Sequence, residues 1–342
     1  FDTHGFPFDM TKEFARERGF VVDEEGFDSL MEQQRQRSRK SSSIEASIFK
    51  EAEIKEKTEF IGHDILSAKA KVVKIFKNRE ESDQAKEGEV VEILLDRSPF
   101  YGEAGGQMGD RGKISSDKIE AEVLDTKKEA DAIVLKTKIV KGPIKLLDAV
   151  QAEVDGKIRA QICKNHTATH LLQGALRKVL GEHVQQQGSL VVPEKLRFDF
   201  THFKALTEDQ IKRVEDLVNE KIKEAVPVSA KTMHIEDAKR AGALAFFGDK
   251  YERDVRVISV SDYSKELCGG THVKNTADIG VFKIISESSI ASGVRRIEAV
   301  TGDTASKLLK ETDETIKKIC EILNCAQGDA LDKIKELLER IN

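Results

Sequence analysis

The stretch Asn165-His166-Thr167-Ala168-Thr169-His170 sets two imidazoles four positions apart in a chain with eight histidines. On a helix that spacing puts both rings on one face, where they can converge on a single ion. Two unrelated surface histidines would give the same spacing, so the pair alone decides nothing. The zincin peptidase pattern places a Glu directly after the first His to act as base. Thr167 stands there instead, which disfavours a peptidase. A second pair, Cys268 and His272 in CGGTH, repeats the four-residue spacing in a glycine-rich loop after the strand-like run DVRVISV. A buried free Cys is ordinarily a small hydrophobe. Three imidazoles with one thiolate, however, make a tetrahedral set of borderline and soft donors, which is zinc chemistry. His166, His170, Cys268 and His272 are therefore the expected Zn2+ ligands. Four protein ligands close the shell of an organising zinc, whereas a catalytic zinc keeps one position open, and spacing leaves both readings standing.

The surrounding chain narrows the class. Its 342 residues call for two or three domains, each large enough to bury a core without staples. The absence of Trp and a count of three Tyr argue against an aromatic platform for single strands. A net charge of −5 excludes a uniformly basic nucleic-acid binder but leaves room for a local basic face. Four cysteines, Cys163, Cys268, Cys320 and Cys325, show no disulfide framework and suit a reducing compartment. No apolar run reaches membrane-spanning length and no signal peptide is recognisable, so the expectation is a cytoplasmic protein without membrane contact. The sequence opens at Phe1 inside the turn-like FDTHGFPFD, which suggests a piece of a longer chain.

The elements that must carry these residues form an α+β chain in four parts. Residues 1–57 read as helical: Thr11 can cap KEFARER, which stops at Gly19, and a second helix begins after Asp23 and runs to SSS. Residues 58–149 change period. KAKVVKIFK, GEVVEILLD, KIEAEVLDT and AIVLKTKIV are short β-rich runs that predict a small β-barrel, a sandwich being the other arrangement. Within them lies the glycine-rich SPFYGEAGGQMGDRG. Residues 150–302 mix a long helix through HTATHLLQGALRKVL with strands QQGSLVV and KLRFDF, a helix ending before Pro227, the strand DVRVISV, the loop SDYSKELCGGTH, and strands GVFKIISES and VRRIEAVTG. That is an α/β layered domain. Residues 303–342 are helical again, with apolar positions three and four apart.

HTATH and CGGTH, joined by QQGSLV, LRFDF and GVRRIEAVTG, resemble the zinc-binding editing domain of the alanyl-tRNA synthetase family. FYGEAGGQMGDRG resembles the barrel that precedes that domain, FDTHGFPFDMT the end of the tRNA-recognition region, and the last helices the start of the C-terminal region. The resemblance implies hydrolysis of the ester in mischarged Ser-tRNA(Ala) and Gly-tRNA(Ala), with the acceptor end of tRNA(Ala) as partner. It also implies an oligomer formed through a C-terminal region beyond this chain. The physical reason for such editing is that a pocket sized for alanine can exclude neither smaller glycine nor serine, which adds only a hydroxyl.

Carried over by position, the resemblance makes Gln186 the reader of the serine hydroxyl, with its neighbours Gln185 and Gln187 leaving the register open by one. Thr167 and Thr169 either touch substrate or satisfy their own helix backbone. Glu266, read as a loop residue, orients or deprotonates the attacking water or is a solvated carboxylate. Gly105, Gly106 and Gln107 form a turn packed on the zinc domain or on the acceptor stem. Arg295 and Arg296 alternate across a strand, so at most one meets tRNA phosphates and the other makes an ion pair. No ATP-dependent charging core is evident, and the chain is not expected to charge tRNA. Two other readings remain: an editing module of a threonyl-tRNA synthetase or a freestanding trans-editing protein, and a non-catalytic tRNA-binding module with structural zinc.

Overall fold

The structure, a computed structural model, describes residues 15–16, 18–24, 26–27, 30, 56–78, 80–244 and 253–341. Most of the expected N-terminal helices lie outside the described residues. The part that is described shows the expected punctuation. Gly19 takes φ +76°, and the amides of Phe20 and Gly19 donate to the carbonyls of Ala15 and Arg16, closing a helix end. Asp23 accepts from Gly26 N–H at 2.9 Å and opens the next turn.

Six strands form the first body: β1 (Ser67–Lys77), β2 (Val90–Leu95), β3 (Gly112–Ser115), β4 (Glu120–Glu129), β5 (Ala132–Lys141) and β6 (Ala149–Val154). They pair antiparallel in the order β6-β3-β4-β5-β2-β1, and β6 also pairs with β1, from Ala149↔Lys71 to Glu153↔Ser67. That second pairing closes the sheet, so the arrangement is a barrel and not a sandwich. Alternating inward side chains, among them Ile75, Ile93, Ile114, Leu135, Ile139 and Ala152, form its buried core. A closed barrel removes the sheet edges and holds its interstrand loops in fixed places.

Strand β6 runs straight into α1 (Gly156–Leu180) through Asp155, whose carboxylate accepts from the amides of Lys157 and Ile158. This helix is the axis of the second body. Everything from Asn165 to Gln173 is buried, because a four-stranded sheet, a second helix and the strand that precedes Cys268 pack around it. The sheet runs β7-β8-β13-β12, from β7 (Gln186–Val191), β8 (Leu196–Thr201), β12 (Phe282–Ala291) and β13 (Val294–Thr301). A second helix, α2 (Glu208–Lys223), opens on a complete capping box at Thr207 and Gln210 and packs beside α1.

A three-stranded sheet follows: β9 (Val228–His234), β10 (Asp254–Val260) and β11 (Ser264–Leu267), with the short α3 (Ile235–Arg240) after β9. β9 and α3 have no counterpart among the elements that the sequence predicts, and β11 falls inside the expected loop SDYSKELCGGTH. The reason is visible in β9, whose middle four residues are exposed and give no apolar alternation. Helices α4 (Gly302–Leu323) and α5 (Ala330–Ile341) end the described chain. Among the described residues this is a mixed α/β structure with a six-stranded closed barrel and five helices. None of those helices is long and apolar enough to cross a membrane.

Candidate metal centre

Two elements deliver the donors. Helix α1 is pinned at its start: the guanidinium of Arg159 pairs with Asp110 of the barrel and donates to the carbonyls of Gly62 (2.6 Å) and Pro99 (3.0 Å). Asp110 in turn accepts from the amide of Tyr101 at 2.6 Å. Seven residues after Arg159, almost two full turns, His166 returns to the same face, and His170 follows one turn later. The other two donors come from the turn after β11. Leu267 ends that strand, Cys268 follows, and two glycines carry the chain round to His272.

The four side chains meet. One donor atom each from His166, His170, Cys268 and His272 lies within 4.8 Å of every other. Cys268 Sγ stands 3.4 Å from His166 Nε2 and 3.2 Å from His272 Nε2. The three rings pack at centroid distances of 5.4, 4.3 and 4.7 Å.

The far side of two of the rings, His166 and His272, identifies the tautomer. Gln107 Oε1 accepts from the backbone N–H of Thr271 at 2.9 Å, which fixes the orientation of the amide. The same oxygen is 2.7 Å from His166 Nδ1, so Nδ1 carries the proton and Nε2 the lone pair. Thr167 Oγ1 donates to the Cys163 carbonyl (2.9 Å) and accepts from Val273 N–H (3.2 Å). It can therefore only accept from His272 Nδ1, 3.1 Å away, and His272 Nε2 is again a lone pair. His170 turns Nδ1 towards Glu266 Oε2 at 3.6 Å, too far for a hydrogen bond, and that buried nitrogen has no other partner among the described residues.

This pattern tests the fit of a metal. Imidazole lone pairs and a sulfur converge in a buried space where a single S–H can satisfy only one of them. Buried acceptors without donors are costly. A cation among them supplies what they lack. Burial lowers His166 to about 3 and holds His170 and His272 well below the usual imidazole value, so all three are neutral, as ligands must be. Burial also pushes the Cys268 thiol up to about 12, against the Gly270 N–H and the nearby Arg256, which favour the thiolate. The cluster can hold a metal ion, and its three nitrogens and one sulfur are compatible with zinc.

A cleft of about 920 Å³ opens above the cluster, between the barrel and the second body. His166, His170 and Cys268 reach it, as do Thr169, Gln186, Gln187, Gly105 and Gly106. Gln186 and Gln187 both face it because a β-bulge between Gln186 and Gly188 interrupts the alternation of β7. Gly106, at φ +81°, lies so close to β7 that a Cβ would fall 2.4 Å from the Ser189 carbonyl oxygen.

Other expected site residues stand elsewhere. Gln107 is fully buried behind His166 and does not line the cleft. Thr167 and Glu266 are also behind the rings. Glu266 is not on a solvated loop. It lies on β11 paired with Ile258, fully buried, and accepts from Ser264 at 2.8 Å, because residues two apart on a strand share a face. Burial pushes its carboxyl up to about 8. Thr169 satisfies its own helix by donating to the Asn165 carbonyl at 2.9 Å. Arg295 and Arg296 do point to opposite faces, and each is held by a bidentate carboxylate, Glu287 at 2.5 and 2.7 Å and Asp199 at 2.7 and 2.8 Å. Arg256 escaped the sequence reading. Its Nη1 donates to the carbonyls of Cys268 (3.0 Å) and Gly270 (2.8 Å) and clasps the ligand-bearing turn.

Comparisons with known proteins agree with this architecture. The family described as "tRNA synthetases class II (A)" matches residues 1–158, and "Threonyl and Alanyl tRNA synthetase second additional domain" matches residues 255–298. Similar proteins include the alanine–tRNA ligases of Caldicellulosiruptor saccharolyticus (46% identical over 348 residues), Pelotomaculum thermopropionicum (44% over 349) and Petrotoga mobilis (46% over 348). Each alignment covers 100% of this chain and 40% of the relative, so the chain spans about 40% of the length of the curated relatives it matches. With the second family overlapping the cysteine–histidine turn and alanine–tRNA ligases aligned along its whole length, the chain belongs to the alanyl-tRNA synthetase family.

Proposed function

We propose that this chain hydrolyses the ester bond of mischarged Ser-tRNA(Ala) and Gly-tRNA(Ala), with the acceptor end of tRNA(Ala) as its partner in the cytoplasm. In this reading the chain divides into four parts, 1–57, 58–149, 150–302 and 303–342. The observation that carries the reading is the four-donor cluster at the base of a cleft whose walls include Gln186 and Thr169. The family match across residues 255–298 supports it.

His166, His170, Cys268 and His272 would hold zinc, and a zinc bound there would supply positive charge at the base of the cleft. With four protein ligands its shell is closed, which favours an organising part over activation of water. The Gln186 amide accepts the serine hydroxyl. Alanine brings a methyl to the same place and leaves the amide unpaired, which disfavours it in proportion to a lost buried hydrogen bond. Glycine leaves room for a water to pair with the amide instead. The glycine turn at Gly105 and Gly106, lacking side chains, lets the tRNA end approach the barrel wall closely. We give Thr167 and Glu266 a positioning part, since both stand behind imidazole rings.

The test is to incubate the chain with Ser-tRNA(Ala), Gly-tRNA(Ala) and Ala-tRNA(Ala) and follow release of the amino acid. Loss of serine and glycine with alanine spared supports the proposal. Binding of all three without hydrolysis would leave a tRNA-binding module with a structural metal.

A further inference from the structure

We infer that Gln107 is the positioning residue through which the barrel holds the metal centre, resting on the reading of the four-donor cluster as a zinc site. Gln107 is the last residue of the triplet Gly105-Gly106-Gln107, and its side chain is wholly buried. Its two amide atoms make three contacts. Oε1 accepts from Thr271 N–H (2.9 Å) and from His166 Nδ1 (2.7 Å), and Nε2 donates to Thr271 Oγ1 (2.9 Å). Those partners belong to the two separate halves of the ligand set. His166 is on α1, and Thr271 adjoins His272 in the turn that also bears Cys268. One residue of the barrel thus sets the distance between the helix-borne and loop-borne donors and keeps Nε2 of His166 unprotonated. Outer partners of this kind fix ring orientation and raise ligand basicity.

The glycines on both sides fit this part. Gly106 at φ +81° brings the turn against β7, which delivers Gln107 to the helix. A Cβ at Gly270 would fall 2.5 Å from His166 Nδ1 and 2.8 Å from Gln107 Oε1, so the bond between them passes where any other residue's side chain would be. Both lone pairs of Oε1 are engaged, and one of the two Nε2 protons goes to Thr271 Oγ1. The amide contacts both halves of the metal site and does not line the cleft.

The test compares Gln107→Met with Gln107→Glu in the full 342-residue chain. Met keeps the length but cannot accept from Nδ1, whereas Glu keeps both acceptor bonds. Zinc affinity is read by transfer to a chromophoric chelator, and ligand geometry by the visible spectrum of the cobalt(II)-substituted protein. The expected result is a roughly 10–100-fold weaker zinc affinity for Gln107→Met with an altered cobalt spectrum. Gln107→Glu should retain zinc at least as tightly as the wild type. Unchanged affinity in Gln107→Met, or equal weakening in both variants with the cobalt spectrum unmoved, overturns the inference. A long-range 1H–15N spectrum of the zinc-loaded wild type keeps it testable if a variant does not fold. His166 must carry its proton on Nδ1, and coordination through Nδ1 would refute it. Wild-type protein that takes up no zinc would instead refute the metal reading itself, and a zinc-loaded protein that spares Ser-tRNA(Ala) would refute only the proposed hydrolysis.

Discussion

The helix-borne and loop-borne halves of the donor set are positioned by different physics. His166 and His170 are held by the helix itself: four residues is one turn, and α1 is buried on all sides where it carries them. Cys268 and His272 have the same separation but no repeating backbone to set it. Their turn is held from outside, by Arg256 on two of its carbonyls, by Gln107 on Thr271, and by Thr167 on His272 and Val273. A helix makes a metal half-site from local sequence, whereas a loop needs supports from three other elements. The first half should tolerate changes in its surroundings, and the second should fail when a support is removed.

The strongest way to break this contrast is at the donors. Cys268→Ala removes the only anionic ligand and should abolish both zinc retention and release of serine, with the barrel still folded. Metal analysis beside near-ultraviolet absorption and circular dichroism checks this. If zinc stays bound at wild-type affinity, Cys268 is not a ligand.

Next come the two glycines of the loop. Gly269 is exposed, and an added Cβ there would meet nothing within 4 Å, so Gly269→Ala should change stability by less than about 0.5 kcal/mol. At Gly270 the added carbon would fall 2.1 Å from His166 Cε1, so Gly270→Ala should displace the ring and lose most of the zinc. Equal behaviour of the two variants in a chelator competition would contradict the proposed packing of loop on helix.

Asp110 supports the helix-borne half from below. Asp110→Ala leaves the Arg159 guanidinium buried without its counter-charge and should lower unfolding stability by about 3–5 kcal/mol in a denaturant titration. Zinc affinity of the folded protein should change much less, because α1 carries its two histidines as one rigid unit. A large loss of affinity without loss of stability would reverse the contrast.

Protonation sharpens it further. With His166 at about 3 and Cys268 at about 12, the metal-free site near neutral pH is three neutral rings and one thiol. His170 and His272, held well below the usual value, add no protons there. Binding zinc should then release one proton, from Cys268, and affinity should rise about tenfold per pH unit across the neutral range. Calorimetry in buffers of different ionisation enthalpy counts that proton. Release of two or more would mean that an imidazole, or the Glu266 carboxyl that burial pushes up to about 8, also gives up a proton. The smallest expected effect on the metal is at the cleft wall: Gln186→His should spoil serine clearance and leave zinc content unchanged. Loss of zinc would place Gln186 in the supporting shell instead.

What the sequence disclosed follows the same division. The donors were legible because a helix turn and a short loop both write their spacing locally, and the barrel was legible from its alternating runs. The supports were not. Gln107 is 59 residues from His166 and 164 from Thr271, and nothing in EAGGQMGD says which chain segment lies against it. Arg256 reads as the outward residue of DVRVISV until the CGGTH turn folds over it. Glu266 reads as a loop carboxylate because β11 has only four residues and contains Ser, Lys and Glu. The register between Gln186 and Gln187 was undecided for a physical reason, since the bulge turns both to the cleft.

The most direct measurement of the central claim is zinc-edge X-ray absorption on the purified chain with its metal content determined. One zinc per chain is expected, with three nitrogen neighbours at ~2.0–2.1 Å and one sulfur at ~2.3 Å. A shell without sulfur, or one containing an oxygen in place of an imidazole nitrogen, would contradict the joining of helix and loop at a single closed metal centre.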